Sequence, residues 1–283
     1  MKKTRGFTLL ELVIVILITG IIAATLVVFV SPALRSYFDT QRRAELTDMA
    51  DTALRRMKQD IRSAVPNSLR ANSATCFQLV PTIDGGRYRL AENPAAPGGG
   101  VALPPETATY QSFTSLSRPL SGFGPTAPVA GDWVVIGNLN GSDVYANPAA
   151  NRGKIAAAAL FPAGGEAVRI NMAGDAPFPT GYEDGRFSVT PNNETTVTYV
   201  CDPGARTLHR VTTAGAFPQN MAAQCALPSL GPLVARDVQS CQFRYDPTQG
   251  VTQSSGFMEM QLTVAREGET VSLQYGVHVE NIP

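Results

Sequence analysis

The sequence predicts an α+β fold: a long, kinked N-terminal helix, with a transmembrane half and an amphipathic half, packed on an antiparallel β-sheet domain. Three observations carry this. A largely apolar run from Phe7 to Val30 is followed by helix-periodic sequence to about residue 66. From residue 67 onward, β-branched and aromatic runs alternate with turn signals. Only 16% of the 283 residues are charged, while 25 are glycine and 21 proline, which suits one or two packed domains with many turns.

The apolar run is relieved only by Thr8, Glu11, Thr19, Gly20 and Thr25. About 20 apolar residues in a helix cross a bilayer core. Lys2, Lys3 and Arg5 precede the run, and such a flank stays cytoplasmic, so the rest of the chain is exported. A cleaved secretory signal fits poorly, because the run is too long and no convincing small-residue cleavage site follows. A plain signal anchor explains the length and the flank but gives Glu11 no task. A mid-membrane acid costs about 2.5–3.5 kcal/mol on insertion scales and ordinarily has a partner.

Beyond the run, Ser31-Pro32 predicts the kink, since proline removes a helix hydrogen bond and crowds the preceding turn. Leu46, Met49, Ala50, Ala53, Leu54, Met57, Ile61, Ala64 and Val65 then recur at spacings of three and four. The opposite face carries Asp39/Arg43, Asp51/Arg55 and Arg56/Asp60 at i,i+4. Pro66-Asn67-Ser68 ends the pattern. The expected divisions are a basic segment 1–6, an apolar span 7–30, an amphipathic continuation 31–66 and a β-rich domain 67–283.

Within that domain, turns are expected at Asp84-Gly85-Gly86 and Asn140-Gly141, each between two strands. "AVRINMA" and "GRFSVTP" read as strands. "TVTYVCDPGARTLHRVTT" reads as a hairpin around Asp202-Pro203-Gly204. The last strands form a meander turning near Glu267-Gly268-Glu269, with Met258, Met260, Leu262 and Val264 on its buried face. Residues 92–131, rich in proline, glycine and serine, read as a loop excursion.

Lys+Arg and Asp+Glu balance at 23 each, so no basic surplus points to nucleic acid. No nucleophile, zinc or phosphate-loop motif is present, so no catalytic residue, metal site or cofactor is expected. His209 and His278 sit in strand contexts. Asp175, Glu183 and Asp184 read as a solvated acidic loop, with Ca²⁺ as the weaker alternative. Trp133 reads as core, and Tyr182 as a candidate surface aromatic. Cys76, Cys201, Cys225 and Cys241 all follow the apolar span, and their even count favours disulfides in an oxidising compartment. Three pairings are open. Loop locality favours Cys201 with Cys225, leaving Cys76 with Cys241.

"KKTRGFTLLELVIVILITGIIA" resembles the N-terminus of type IV pilins and type II secretion pseudopilins. The matching features are a basic leader ending in Gly6, then Phe7, Glu11 and the apolar run. The resemblance implies that a prepilin peptidase cuts between Gly6 and Phe7 and that Phe7 is N-methylated. The span is then retained as a single-pass inner-membrane anchor, leader cytoplasmic and domain periplasmic, and later as filament core. Other pilins or pseudopilins and the inner-membrane assembly platform are the implied partners. Glu11 would meet the terminal amine of a neighbouring subunit, each charge offsetting the other's desolvation. Patches such as "YVCDPGARTLHR" and "CQFRYDP" are similar to minor pilins of the mannose-sensitive haemagglutinin pilus system. The large domain also suits a minor subunit, which is implied to prime or cap a filament and could reach a pilus tip.

Overall fold

A single helix, α1 (Leu9–Arg62), dominates the computed structural model and runs through Pro32 without interruption. The structure describes residues 8–91, 102, 109–116, 128–160, 168–179, 182, 184–226, 231–248 and 255–282. The helix ends at Ser63, whose amide donates to Gln59 O at 3.1 Å. Pro66 and Asn67 then turn the chain, with Asn67 in the left-handed region at φ 59°. Its side-chain amide donates to Asn138 O at 2.8 Å and Asn281 O at 2.9 Å. One turn residue thus joins the helix exit to two distant segments.

Among the described residues, all the strand pairs are antiparallel. A short hairpin of β1 (Arg70–Ser73) and β2 (Cys76–Leu79) follows the helix. Six strands come next: β3 (Asp84–Arg87), β4 (Thr109–Ser115), β5 (Trp133–Val135), β6 (Arg152–Leu160), β7 (Val168–Pro177) and β8 (Arg186–Thr190). They pair in the order β3-β8-β5-β6-β7-β4. Then β9 (Thr196–Asp202) and β10 (Thr207–Thr213), the short helix α2 (Met221–Cys225) and β11 (Leu233–Arg236) complete a sheet ordered β1-β2-β9-β10-β11. The chain finishes as the meander β12 (Val238–Asp246), β13 (Ser255–Arg266) and β14 (Glu269–Glu280).

The six-stranded sheet closes on itself. Just past β3, Tyr88 bridges Ser115 at the end of β4. Arg89 N donates to Thr114 O at 3.0 Å and Leu116 N to Arg87 O at 2.6 Å. The two edges of the sheet are thereby joined, which is how barrels remove unpaired strand edges. Phe113, Val134, Ile155, Ile170, Phe187 and Val189 fill its interior. Because β2 and β9 are hydrogen-bonded neighbours, the whole barrel is an insertion between two adjacent strands of the basal sheet.

The basal core has three walls. The α1 stripe Leu46, Ala50, Leu54, Met57 and Ile61 packs with Phe77, Tyr199 and Leu208 of the five-stranded sheet and Met258, Met260, Leu262 and Val264 of β13. The predicted α+β architecture, a long helix on antiparallel sheets in the pilin-like manner, is the one observed. Alternate residues of β13 are buried in the predicted phase.

Several local expectations are corrected. Asp84-Gly85-Gly86 lies inside β3, where Gly85 lets the Phe187 backbone come within 2.8 Å of the position a Cβ would take. Asn140-Gly141 leads into a 3₁₀ turn at Asp143–Tyr145, not a strand, because Asp143 Oδ2 accepts from the Asn140 amide at 2.9 Å. Within the expected 92–131 loop runs β4, held by the buried Phe113.

The disulfides join Cys76 to Cys225 and Cys201 to Cys241, not the locally favoured pairs. Cys76 lies opposite Val200 in the β2–β9 ladder and so shares its face. Cys201, one residue further, points to the other face. Helix α2 covers the Val200 side and brings Cys225 to Cys76, while Cys201 joins the basal core beside Cys241.

Of the three helix ion pairs expected, only Asp51–Arg55 forms, at 2.6 Å. Asp39 instead pairs with Arg42. Asp60 accepts from Arg210 Nε at 2.7 Å and from the Tyr199 hydroxyl at 2.8 Å, and Arg210 also binds Glu194. Burial opposes the Arg210 cation, but its bonds to Glu194 and Asp60 outweigh it and raise its pKa. Asp60→Ala leaves this enclosed arginine with one carboxylate and Tyr199 without its acceptor, so a loss of about 3 kcal/mol is expected. Denaturant unfolding of the full chain in detergent checks it, with Arg56→Ala expected within about 0.5 kcal/mol of the parent.

Candidate functional site

The half of α1 that leaves the domain is the chain's most unusual surface. From Leu9, 81% exposed, to Val30, 44% exposed, every large apolar side chain faces outward. Burial begins only at Leu46. Among the described residues, α1 is the one helix long and apolar enough to cross a membrane. Polar groups in this stretch are satisfied locally: Thr19 Oγ1 donates to Val15 O at 2.6 Å, and Thr25 Oγ1 to Ile22 O at 2.8 Å. Such back-bonding removes the desolvation cost of a hydroxyl in an apolar medium.

Glu11 has a partner within its own chain. Thr8 is the N-cap, with φ −82° and ψ 150°. Its Oγ1 accepts from Glu11 N at 3.3 Å, and Glu11 Oε2 accepts from Thr8 N at 3.2 Å and Thr8 Oγ1 at 3.2 Å. This capping box occupies amides that a helix start leaves unpaired, and the carboxylate meets the positive end of the helix dipole. The signal was in the sequence: Thr8-Leu-Leu-Glu11 is the T-x-x-E pattern that precedes an apolar run. A plain anchor therefore also uses Glu11. What the box does not require is the charge, because glutamine closes it as well. Gly6 and Phe7 lie outside the described residues.

Residues 1–27 match the family model described as the Prokaryotic N-terminal methylation motif. The chain carries an N-terminal methylation motif. This motif is that of the type IV pilin and pseudopilin family, and the apolar helix behind it accords with a membrane-anchored, prepilin-like protein. The methylation motif takes in Gly6, Phe7 and Glu11 and stops before Val28, so it covers the helix start and none of the β-rich domain. No curated protein and no solved structure matches the chain.

The other candidates fall into structural settings. His209 Nδ1 bonds with Gly231 O at 3.0 Å, and His278 packs against Phe257 with ring centroids 5.2 Å apart. Trp133 donates to Asn192 Oδ1 at 3.1 Å and stacks edge-on with Phe217. Tyr182, expected at the surface, is inside the barrel core, where burial first and the nearby Asp184 second push its pKa up to about 12. Asp175 lies in β7 and accepts from Gln111; Glu183 is outside the described residues. Among the described residues, no cluster of three metal-ligating side chains forms.

The capping box gives a direct test. Thr8→Val should raise amide exchange at Leu10–Leu12 about fivefold, matching a cap worth about 1 kcal/mol. Glu11→Gln should leave exchange there within about twofold, because glutamine keeps both halves of the box. Hydrogen exchange of the full chain in detergent reads both.

Proposed function

We propose that this chain is a minor type IV pilin, most like MshO of the mannose-sensitive haemagglutinin pilus, acting as a structural subunit in pilus biogenesis and not as an enzyme. A prepilin peptidase cuts between Gly6 and Phe7, and Phe7 is N-methylated. The mature chain waits in the inner membrane with its domain in the periplasm. The assembly platform then moves it into a filament, where α1 packs among the helices of other pilins. The observation that carries the reading is the methylation motif leading straight into an exposed apolar helix.

Glu11 supplies a charge that its capping role does not need. In an apolar filament core, a carboxylate facing the amine of the neighbouring Phe7 fixes axial register, since each ion relieves the other's desolvation. The inserted barrel supports a minor role: it adds bulk that densely tiled major subunits could not accommodate.

A minor pseudopilin of type II secretion shares all these features and is the alternative. A tip-adhesin role is favoured by a cleft of about 340 Å³ where the barrel meets the helix exit, lined by Val65, Phe187, Arg87, Arg186 and Glu280.

Intact mass of the protein from its native membrane should show an N-terminus at methylated Phe7, and an intact Met1 would contradict the reading. Glu11→Gln should fold and cap normally yet be lost from sheared filaments by at least tenfold. Normal incorporation would leave Glu11 as a cap alone.

A further inference from the structure

We propose that Pro32–Phe38 is a headgroup-level anchor that seats the globular domain on the membrane face opposite the N-terminus, its partner being the phospholipid headgroup layer. The proposal rests on the membrane-anchored part of the reading above, and not on the filament role.

Four observations converge. First, no charged side chain lies between Glu11 and Arg35. At 1.5 Å per residue that interval is about 36 Å, a hydrocarbon core of about 30 Å with a shallow margin on either side. With Glu11 at one edge, Arg35 reaches the headgroups of the other. Second, Pro32 has no amide hydrogen, so the Val28 carbonyl loses its helix donor. An unmet carbonyl costs several kcal/mol in hydrocarbon, which places this turn where water or headgroup donors reach. The hydroxyls of Thr19 and Thr25, deeper in the run, are satisfied within the helix.

Third, the side chains change character at this level. Tyr37 and Phe38 are 65% and 53% exposed and pack edge to face with centroids 5.7 Å apart. Among the described residues, Arg35 makes no ion pair and the Tyr37 hydroxyl has no partner. An amphipathic ring pair beside an arginine is what a headgroup layer accommodates. Fourth, the domain is pinned just above. The β13–β14 turn grips α1 through Arg42–Glu267 at 2.9 Å, Arg43–Glu269 at 2.8 Å and Arg266–Glu45 at 3.2 Å. These bonds set the turn about 10 Å beyond Arg35 and neutralise carboxylates that an anionic bilayer would repel.

All four native cysteines are in disulfides, so single introduced cysteines can be spin-labelled selectively. The full chain carrying Phe29→Cys, Phe38→Cys or Thr47→Cys is placed in nanodiscs of phosphatidylethanolamine and phosphatidylglycerol. Collision rates with oxygen and with a water-soluble nickel chelate are then measured. The label at position 29 should favour oxygen, that at 47 nickel, and that at 38 should fall between. Tyr37→Ser with Phe38→Ser should lower the oxygen-to-nickel ratio at position 29 at least twofold as the helix loses its stop. If position 38 is as nickel-accessible as 47, or the serine pair leaves position 29 unmoved, the anchor is wrong while the membrane span stands. If position 29 is itself in water, the membrane-anchored reading falls too.

Discussion

One helix has to be solvated by two media, and the rest of the structure is arranged around that. Burying a Leu, Ile or Phe side chain is worth about 1.5–3 kcal/mol, so the outward-facing side chains of Leu9–Phe38 could not stand in water without a large penalty. The same helix must keep its far half on a folded domain. The change occurs over a short stretch: Tyr37 and Phe38 are the last exposed aromatics, Arg42 and Arg43 the first residues gripped by the β13–β14 turn, and Leu46 the first buried side chain. The Asp60–Arg210–Glu194 group then fixes the other end. The folded half of α1 is thus held at both limits, and the apolar half is left for a medium or partner outside the chain.

The barrel is compatible with this arrangement because it asks little of the base. Entering from β2 and returning through β9, it leaves their ladder intact. Its closure at Tyr88 and Ser115 leaves no unpaired edge to compete with the basal sheets. Contact with the base is concentrated at the helix exit, through Asn67 to Asn138 and through the buried Tyr145, whose hydroxyl donates to Ser68 O at 2.8 Å. A chain built this way can carry a bulky module without disturbing the helix that anchors it.

The parts that were legible in the sequence are those fixed by local pattern. The apolar run, the heptad-like stripe from Leu46 and the alternation through Met258–Val264 each follow from one element meeting one environment. What was missed depends on non-local geometry. Barrel closure rests on pairing Tyr88 with Ser115 across a long excursion, which no window of sequence shows. Disulfide partners were decided by Cys76 and Cys201 taking opposite faces of the paired strands β2 and β9, and sequence distance pointed the other way. Asp60 and Arg43 found arginine and glutamate partners on distant strands; the Asp60–Arg210 pair is enclosed, while Arg43 reaches Glu269 from the surface, and neither distant partner shows in an i,i+4 pattern. At the candidate site, Glu11 was legible as anomalous, but its capping partner Thr8 was overlooked although the T-x-x-E pattern was there. The charge of Glu11 is not required to close the cap, since glutamine closes it as well.

The most direct measurement is site-specific photo-cross-linking from the exposed half of α1 in living cells that assemble filaments. A photoreactive phenylalanine replaces Ile16, whose side chain is 64% exposed and touches nothing else in the fold's core. If the helix is a surface made for other subunits, the dominant protein products should be adducts with other chains carrying an N-terminal methylation motif, and they should disappear when the assembly ATPase is inactivated. Adducts with lipid alone, in cells with normal filaments, would contradict the assembly role and leave α1 as a simple membrane anchor.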